Sequence, residues 1–242
     1  METSLLVALT RQNALRQELD VVANNLANMN STAFKAGRLL FAEHLVPTPS
    51  GGERMGDAVA LVRDVASVRD LSVGGLRETG GDLDVAIESE GYLVVSTPMG
   101  PRYTRDGHLR LNETGELVSE QGFPVVADGA PVQIGFDDAN VAIAQDGTIS
   151  SESRILGKLD VVGFARPQRL QAGEGGLLAA GDEAPRPVVL PGIRQGMLEG
   201  SNVEPIAEID RLIEVQRAYD QARKLADRED DRLHKMLQTY AG

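Results

Sequence analysis

The sequence contains no cysteine. That excludes disulfides, thiolate metal sites and thiol nucleophiles, and leaves a cytosolic or an exported setting equally open. Tryptophan is absent and aromatics make up only 4%, so any core is aliphatic and modest, while 26 glycines supply many tight turns. Positive charge is also short, with 24 Lys and Arg against 36 Asp and Glu and a formal net charge of -12. A nucleic-acid partner is therefore excluded, because phosphate binding needs a basic stripe that releases counterions. No run approaches the roughly 20 apolar residues of a transmembrane helix. Leu5-Leu6-Val7-Ala8-Leu9 is too short for a signal h-region and has no basic segment before it. Neither membrane insertion nor a cleaved signal peptide is expected.

The charge is unevenly placed. Residues 1–35 sum to zero and residues 203–242 to -2, which leaves -10 of the -12 to the middle. Many copies can bring such ends together without strong repulsion while the middle stays solvated.

Both ends read as helix. Leu5, Ala8, Gln12, Leu15, Leu19, Val22, Leu26 and Met29 follow an uninterrupted 3-4 spacing, the pattern of a narrow coiled-coil seam. Thr3 or Ser4 can cap its start. Asn24, Asn25, Asn28 and Asn30 compete for backbone hydrogen bonds, so the helix is expected to fray near Asn30. At the other end Ser201 and Glu204 have capping-box spacing and Pro205 suits a first turn. Leu212, Val215, Tyr219, Ala222 and Ala226 continue on a 3-4 spacing, resumed by Leu233, Met236 and Tyr240. Asp220 with Lys224, and Asp231 with Lys235, are oriented as favourable i, i+4 pairs. Two narrow stripes at opposite ends can pair with each other or with neighbours, and an ordinary domain whose end helices cover its own sheet is the alternative.

Between the ends, residues 36–75 show no sustained period and read as an extended connector. Pro47-Thr48-Pro49-Ser50-Gly51-Gly52 is an irregular stretch, with weak strands at Val59–Val62 and Val65–Val68. The period then changes to two. Leu83, Val85 and Ile87 alternate with Asp82, Asp84, Ala86 and Glu88, and Tyr92–Ser96 is a fuller apolar strand. Met99-Gly100, Asp106-Gly107, Thr114-Gly115, Gln121-Gly122, Asp128-Gly129 and Asp146-Gly147 are turn dipeptides, and strands between such turns indicate an antiparallel sandwich or barrel. Lys158–Phe164 adds a strand, and Gly173–Pro191 reads as loop. The expectation is an α+β chain: an N-terminal helix in 1–35 pairing with a C-terminal helix in 197–242, a connector in 36–75 and an antiparallel all-β domain in 76–196.

Leu19-Asp20-Val21-Val22-Ala23-Asn24-Asn25-Leu26-Ala27-Asn28, followed by Thr32-Ala33-Phe34-Lys35, resembles the N-terminal signature of the flagellar rod and hook proteins. Leu198-Glu199-Gly200-Ser201-Asn202-Val203 with Gln216-Arg217-Ala218-Tyr219 is similar to their C-terminal signature. Leu83–Ile87, Gly91–Val95 and Tyr103-Thr104-Arg105-Asp106-Gly107 resemble their β-domain, so the likeness covers nearly the whole chain. The length, the short connector after Phe41 and the segment Ala144–Ser150 resemble the proximal-rod branch more than the distal-rod branch. Ala33 departs from the family, which usually has Gly there, and a Cβ disfavours a positive φ at that place. The resemblance implies a structural subunit of the drive shaft that carries torque across the periplasm, with a distal-rod or hook-type subunit as the alternative. It also implies partners: other rod proteins, copies of the same chain, and the flagellar type III export apparatus. The assembly interface expected from the two stripes comprises Leu5, Leu15, Leu19, Val22, Leu26, Met29, Leu212, Val215, Tyr219, Ala222, Leu233 and Met236.

Catalytic chemistry has weaker support. Asp82, Asp84, Glu88 and Glu90 on a β scaffold invite comparison with the paired carboxylates of a glycoside hydrolase. Period two, however, puts all four on the face opposite Leu83, Val85 and Ile87, as a solvated strand face requires. His44, His108 and His234 lack metal-ligand spacing and read as solvated or capping residues. The Asp-Gly turns do not continue into calcium ligands, and Gly173-Glu174-Gly175-Gly176 lacks the Lys-Ser/Thr ending of a phosphate loop. No catalytic residue, metal ligand or cofactor is expected, and an adhesin is a distant alternative.

Overall fold

The computed structural model describes residues 2–47, 58–135, 138 and 140–240, with only the backbone described near the helix ends and in most of the first hairpin. The chain is α+β, with one helix at each end and an antiparallel β-rich middle. Helix α1 runs Glu2–Ala27 and α2 runs Pro205–Tyr240. Neither holds a glycine, and the one proline, Pro205, occupies the first position of α2, where its missing N–H and fixed φ do no harm. The start signals of both helices differ from expectation. Thr3 and Ser4 fall inside the first turn of α1, not before it. Ser201 lies too far upstream of Pro205 to cap α2, so the spacing with Glu204 is not a capping box.

The chain divides into two compact units. One contains residues 1–29, 36–70 and 203–242, and the other 30–35 and 71–202.

In the first unit α1 and α2 pack along each other. Gln12 Nε2 donates to Tyr219 Oη at 3.1 Å, Arg211 pairs with Glu18 at 2.7 Å, and Asn25 Nδ2 reaches Glu208 at 3.3 Å. As the α1 number rises its partner's number falls, so the helices are antiparallel. Residues 36–75, read as a connector, contain a long antiparallel hairpin of β1 (Gly37–Pro47) and β2 (Ala58–Arg69). The register runs Phe41 opposite Val65 and then Glu43 opposite Val62, so β2 has one extra residue there. A bulge of this kind interrupts the period of two, which is why the sequence shows no sustained alternation. Both weak strands fall within β2. Most of Pro47–Gly52 lies outside the described residues.

The second unit is built on short strands. Those labelled here are β3 (Leu76–Glu78), β4 (Val85–Ile87), β5 (Tyr92–Thr97) and β6 (Gly100–Thr104). A six-stranded antiparallel sheet has the order Gln171–Ala172, Leu178–Ala179, β6, β5, Val161–Gly163, Arg186–Pro187. β3 pairs with Met197–Glu199 and β4 with Ile193–Gln195. The core gathers Val85, Ile87, Leu93, Val95, Leu117, Val125, Ile149 and Ile193, all aliphatic. A smaller cluster stacks Tyr103 edge-on to Phe164 at 4.8 Å, with Tyr92 beside it.

Glycine is in the left-handed region in five of the six expected turn dipeptides. Gly107 is the exception, and its role is close approach: a Cβ there would stand 1.7 Å from the Val85 carbonyl oxygen. The alternation read over residues 82–88 is also only half of the pattern found. β4 is buried on both faces, and Asp84, expected in solvent, is buried with Oδ1 2.8 Å from His108 Nδ1 and Oδ2 accepting from Thr79 Oγ1. The strand is short and sits against the aliphatic core, so its residues are buried whichever way they point.

Candidate assembly site and buried ion cluster

The two apolar stripes meet within one chain. Val22 on α1 and Val215 and Ala222 on α2 are buried, Leu15, Leu19, Leu26, Leu212 and Tyr219 are half-buried, and Met29 is exposed. The side chains of Leu5, Leu233 and Met236 lie outside the described residues. Gln12, the one polar member of the α1 stripe, is the residue that bonds Tyr219 of the α2 stripe, so the break in apolar character is satisfied by a phenol. Beside the seam, Asn25 is 2% exposed and treats Gly37 as a strand neighbour would. Its Oδ1 accepts from Gly37 N at 2.8 Å and its Nδ2 donates to Gly37 O at 2.9 Å. An asparagine expected only to weaken the helix end instead ties α1 to β1. The expected Asp220–Lys224 pair is not closed among the described residues.

The second unit contains a cluster that the charge pattern did not reveal. Glu199 is 1% exposed, ion-paired to Lys35 and bonded through Oε2 to Arg105 Nε at 2.8 Å. Arg105 spends its other donors on the carbonyls of Ile87, Ser89 and Gly91 at 2.9 to 3.0 Å and lies over the Tyr92 ring. Gly74 N donates to Glu199 Oε1 at 3.0 Å, and a Cβ on Gly74 would stand 2.0 Å from the Gly200 carbonyl oxygen. Burial by itself would push the Glu199 carboxyl up, but the bonds from Lys35, Arg105 and Gly74 outweigh it and hold it below the ordinary value. The surrounding backbone is laced together as well. Ala33 N donates to Glu199 O, Asn202 N to Phe34 O, and Lys35 Nζ and Asn202 Nδ2 to Ser72 O. Ala33 has φ 57, the positive value that its Cβ disfavours, and its bond to Glu199 keeps it there.

These segments, 30–35, 71–75 and 199–202, are where the second unit's chain runs on into the first. Lys35, Arg105 and Glu199 stand in three separate sequence motifs. Their opposite charges are the only trace the cluster leaves in the sequence, and nothing in their spacing joins them. Of the carboxylates considered for catalysis, Asp84 is buried as above, while Asp82, Glu88 and Glu90 are exposed, Glu88 pairing with Arg194 at 2.9 Å. No group of three or more His, Asp or Glu gathers as a metal set among the described residues, and no helix among them is long and apolar enough to cross a membrane.

Three families match the chain in order: the flagella basal body rod protein family over residues 5–35, the FlgE/F/G D1 domain over 86–151, and the C-terminal domain of the basal body rod FlgEFG proteins over 194–239. The boundaries follow α1, the β-rich middle, and the last strand pair with α2. The flagellar basal-body rod protein FlgF of Caulobacter vibrioides is 39% identical over 94% of this chain and 93% of its own length. FlgF of Rhizobium meliloti is 34% identical over 100% and 99%, and FlgG of Buchnera aphidicola 30% over 98% and 100%. With end helices, β-rich middle and near-complete coverage all in agreement, the chain belongs to the flagellar basal-body rod protein family and is a structural subunit of that rod.

Proposed function

We propose that this subunit lies in the proximal part of the rod and joins neighbouring rod proteins and copies of itself through a coiled-coil-like pair of its terminal helices, α1 and α2. The observation that carries this reading is the antiparallel seam of Leu15, Leu19, Val22, Leu26, Leu212, Val215, Tyr219 and Ala222, a narrow apolar band on long helices that leaves much of their surface for neighbours. Leu5, Leu233 and Met236, assigned by sequence spacing alone, and Met29, which follows α1 and is exposed, complete the proposed interface. The role is mechanical and not catalytic, and the ion cluster around Glu199 suits a subunit under torque because it ties distant segments of the β-rich unit to one another. Family membership supports a place in the basal body across the periplasm and delivery by the flagellar type III export apparatus.

Val215→Asp tests the reading, since an unpaired charge in the seam is strongly unfavourable. Basal bodies isolated from cells making this variant should lack the subunit and the cells should not swim. Normal amounts in the rod and normal motility would contradict assembly through the helix pair.

A further inference from the structure

The β-rich unit is closed by its last stretch of chain. Residues 193–202 hold the strand partners of both β3 and β4, and Ile193, paired with Ile87 and 1% exposed, completes the aliphatic core. Gln195 stitches this stretch to two other segments. Its Oε1 accepts from Ile143 N at 3.0 Å, and its Nε2 donates to Val141 O at 2.8 Å and to Asp82 O at 2.6 Å. Gly196 adds two more bonds, donating through its N–H to Asp84 O at 2.8 Å and accepting at its carbonyl from Thr79 N at 2.8 Å. Glu199 then supplies the counter-charge of Lys35 and Arg105, and Asn202 N donates to Phe34 O. One short stretch is thus bonded to the start of the unit, to its first strands and to its middle.

We propose that residues 193–202 are a latch without which the β-rich unit has no ordered form. With the latch undocked, Lys35 and Arg105 are left together without a counter-charge, and β4, buried along its whole length, loses a backbone partner. Neither loss can be made good while the rest stays folded, because buried charges and buried backbone groups need their partners. Such a unit opens as one body and does not shed its last segment first. The latch also needs the other end of the unit, since Glu199 pairs with Lys35 and accepts from Ala33 N through its carbonyl. A chain delivered from either end therefore keeps this unit unfolded until nearly all of it has passed. That use rests on the proposed delivery by the export apparatus, whereas the latch itself rests on contacts inside the unit.

Native-state hydrogen exchange on the full-length chain, followed amide by amide, tests the latch. The amides of Ile193, Gly196 and Gly200 lie in it, while those of Val94, Ser96 and Val125 are bonded to Asp160, Pro124 and Leu117 elsewhere in the unit. Both sets should exchange through one opening, with protection factors within about threefold of each other and the same dependence on denaturant. Gln195→Ala removes the bonds to Asp82, Val141 and Ile143 and should lower the protection of both sets alike, by about tenfold or more. Latch amides that exchange about tenfold faster than the other set in the parent would overturn the inference. So would a Gln195→Ala chain in which the latch alone loses protection. If that variant does not fold, the parent's own exchange still decides between one opening and two. The measurement does not depend on how the chain is delivered, so a failure of the export reading leaves its result standing.

Discussion

At the scale of single residues, the carboxylate of Glu199 decides the order of the second unit. Removing its charge leaves Lys35 and Arg105 buried together without a counter-charge, and breaking a buried pair in this way costs about 3 kcal/mol or more. Glu199→Gln should therefore lower unfolding stability by that amount, read by denaturant titration at neutral pH. The sign of the pH effect follows from the depressed folded value: the contribution is present above the ordinary carboxylate pKa and is lost as pH falls through the lower folded value. The parent should lose this part of its stability in acid, and the Gln variant should have little of it left to lose. Ala33 makes a prediction of a different kind. Its left-handed backbone costs roughly 1 kcal/mol with a Cβ, while glycine costs a comparable amount in unfolded-state freedom. Ala33→Gly should thus be close to neutral, within about 0.5 kcal/mol of the parent. A clear loss in the same titration would show that the methyl group packs usefully.

At the scale of elements, what repeats locally was legible and what depends on distant partners was not. The apolar stripe of α1, the strand at Tyr92 and the glycine turns each follow from a short periodic pattern that persists in the fold. The β1–β2 hairpin was hidden because the bulge shifts its alternation partway along. Asp84 was misplaced because alternation gives the face of a strand but not whether that face meets solvent or His108. Asn25 gave no local sign of its use, since its partner Gly37 comes only after the chain has turned back. The Glu199 cluster joins residues 94 and 164 positions apart and could not be seen without the fold. Gly107 carries the element-scale prediction. A Cβ so close to the Val85 carbonyl must push β4 from its neighbour, so Gly107→Ala should cost about 2 kcal/mol or more in the same unfolding measurement.

At the scale of the whole molecule, the chain forms two compact units. The β-rich unit has an aliphatic core and a buried ion cluster, and the other unit is built on α1, α2 and the β1–β2 hairpin. Residues 1–35 and 203–242 are close to neutral, so charge does not oppose the proposed gathering of copies through their ends. A density map of isolated basal bodies in which this subunit is traced tests assembly through the helices most directly. The prediction is that α1 and α2 of each copy pack against helices of neighbouring subunits. A map in which both helices touch only their own chain, with the copies joined through the β-rich units alone, would contradict it.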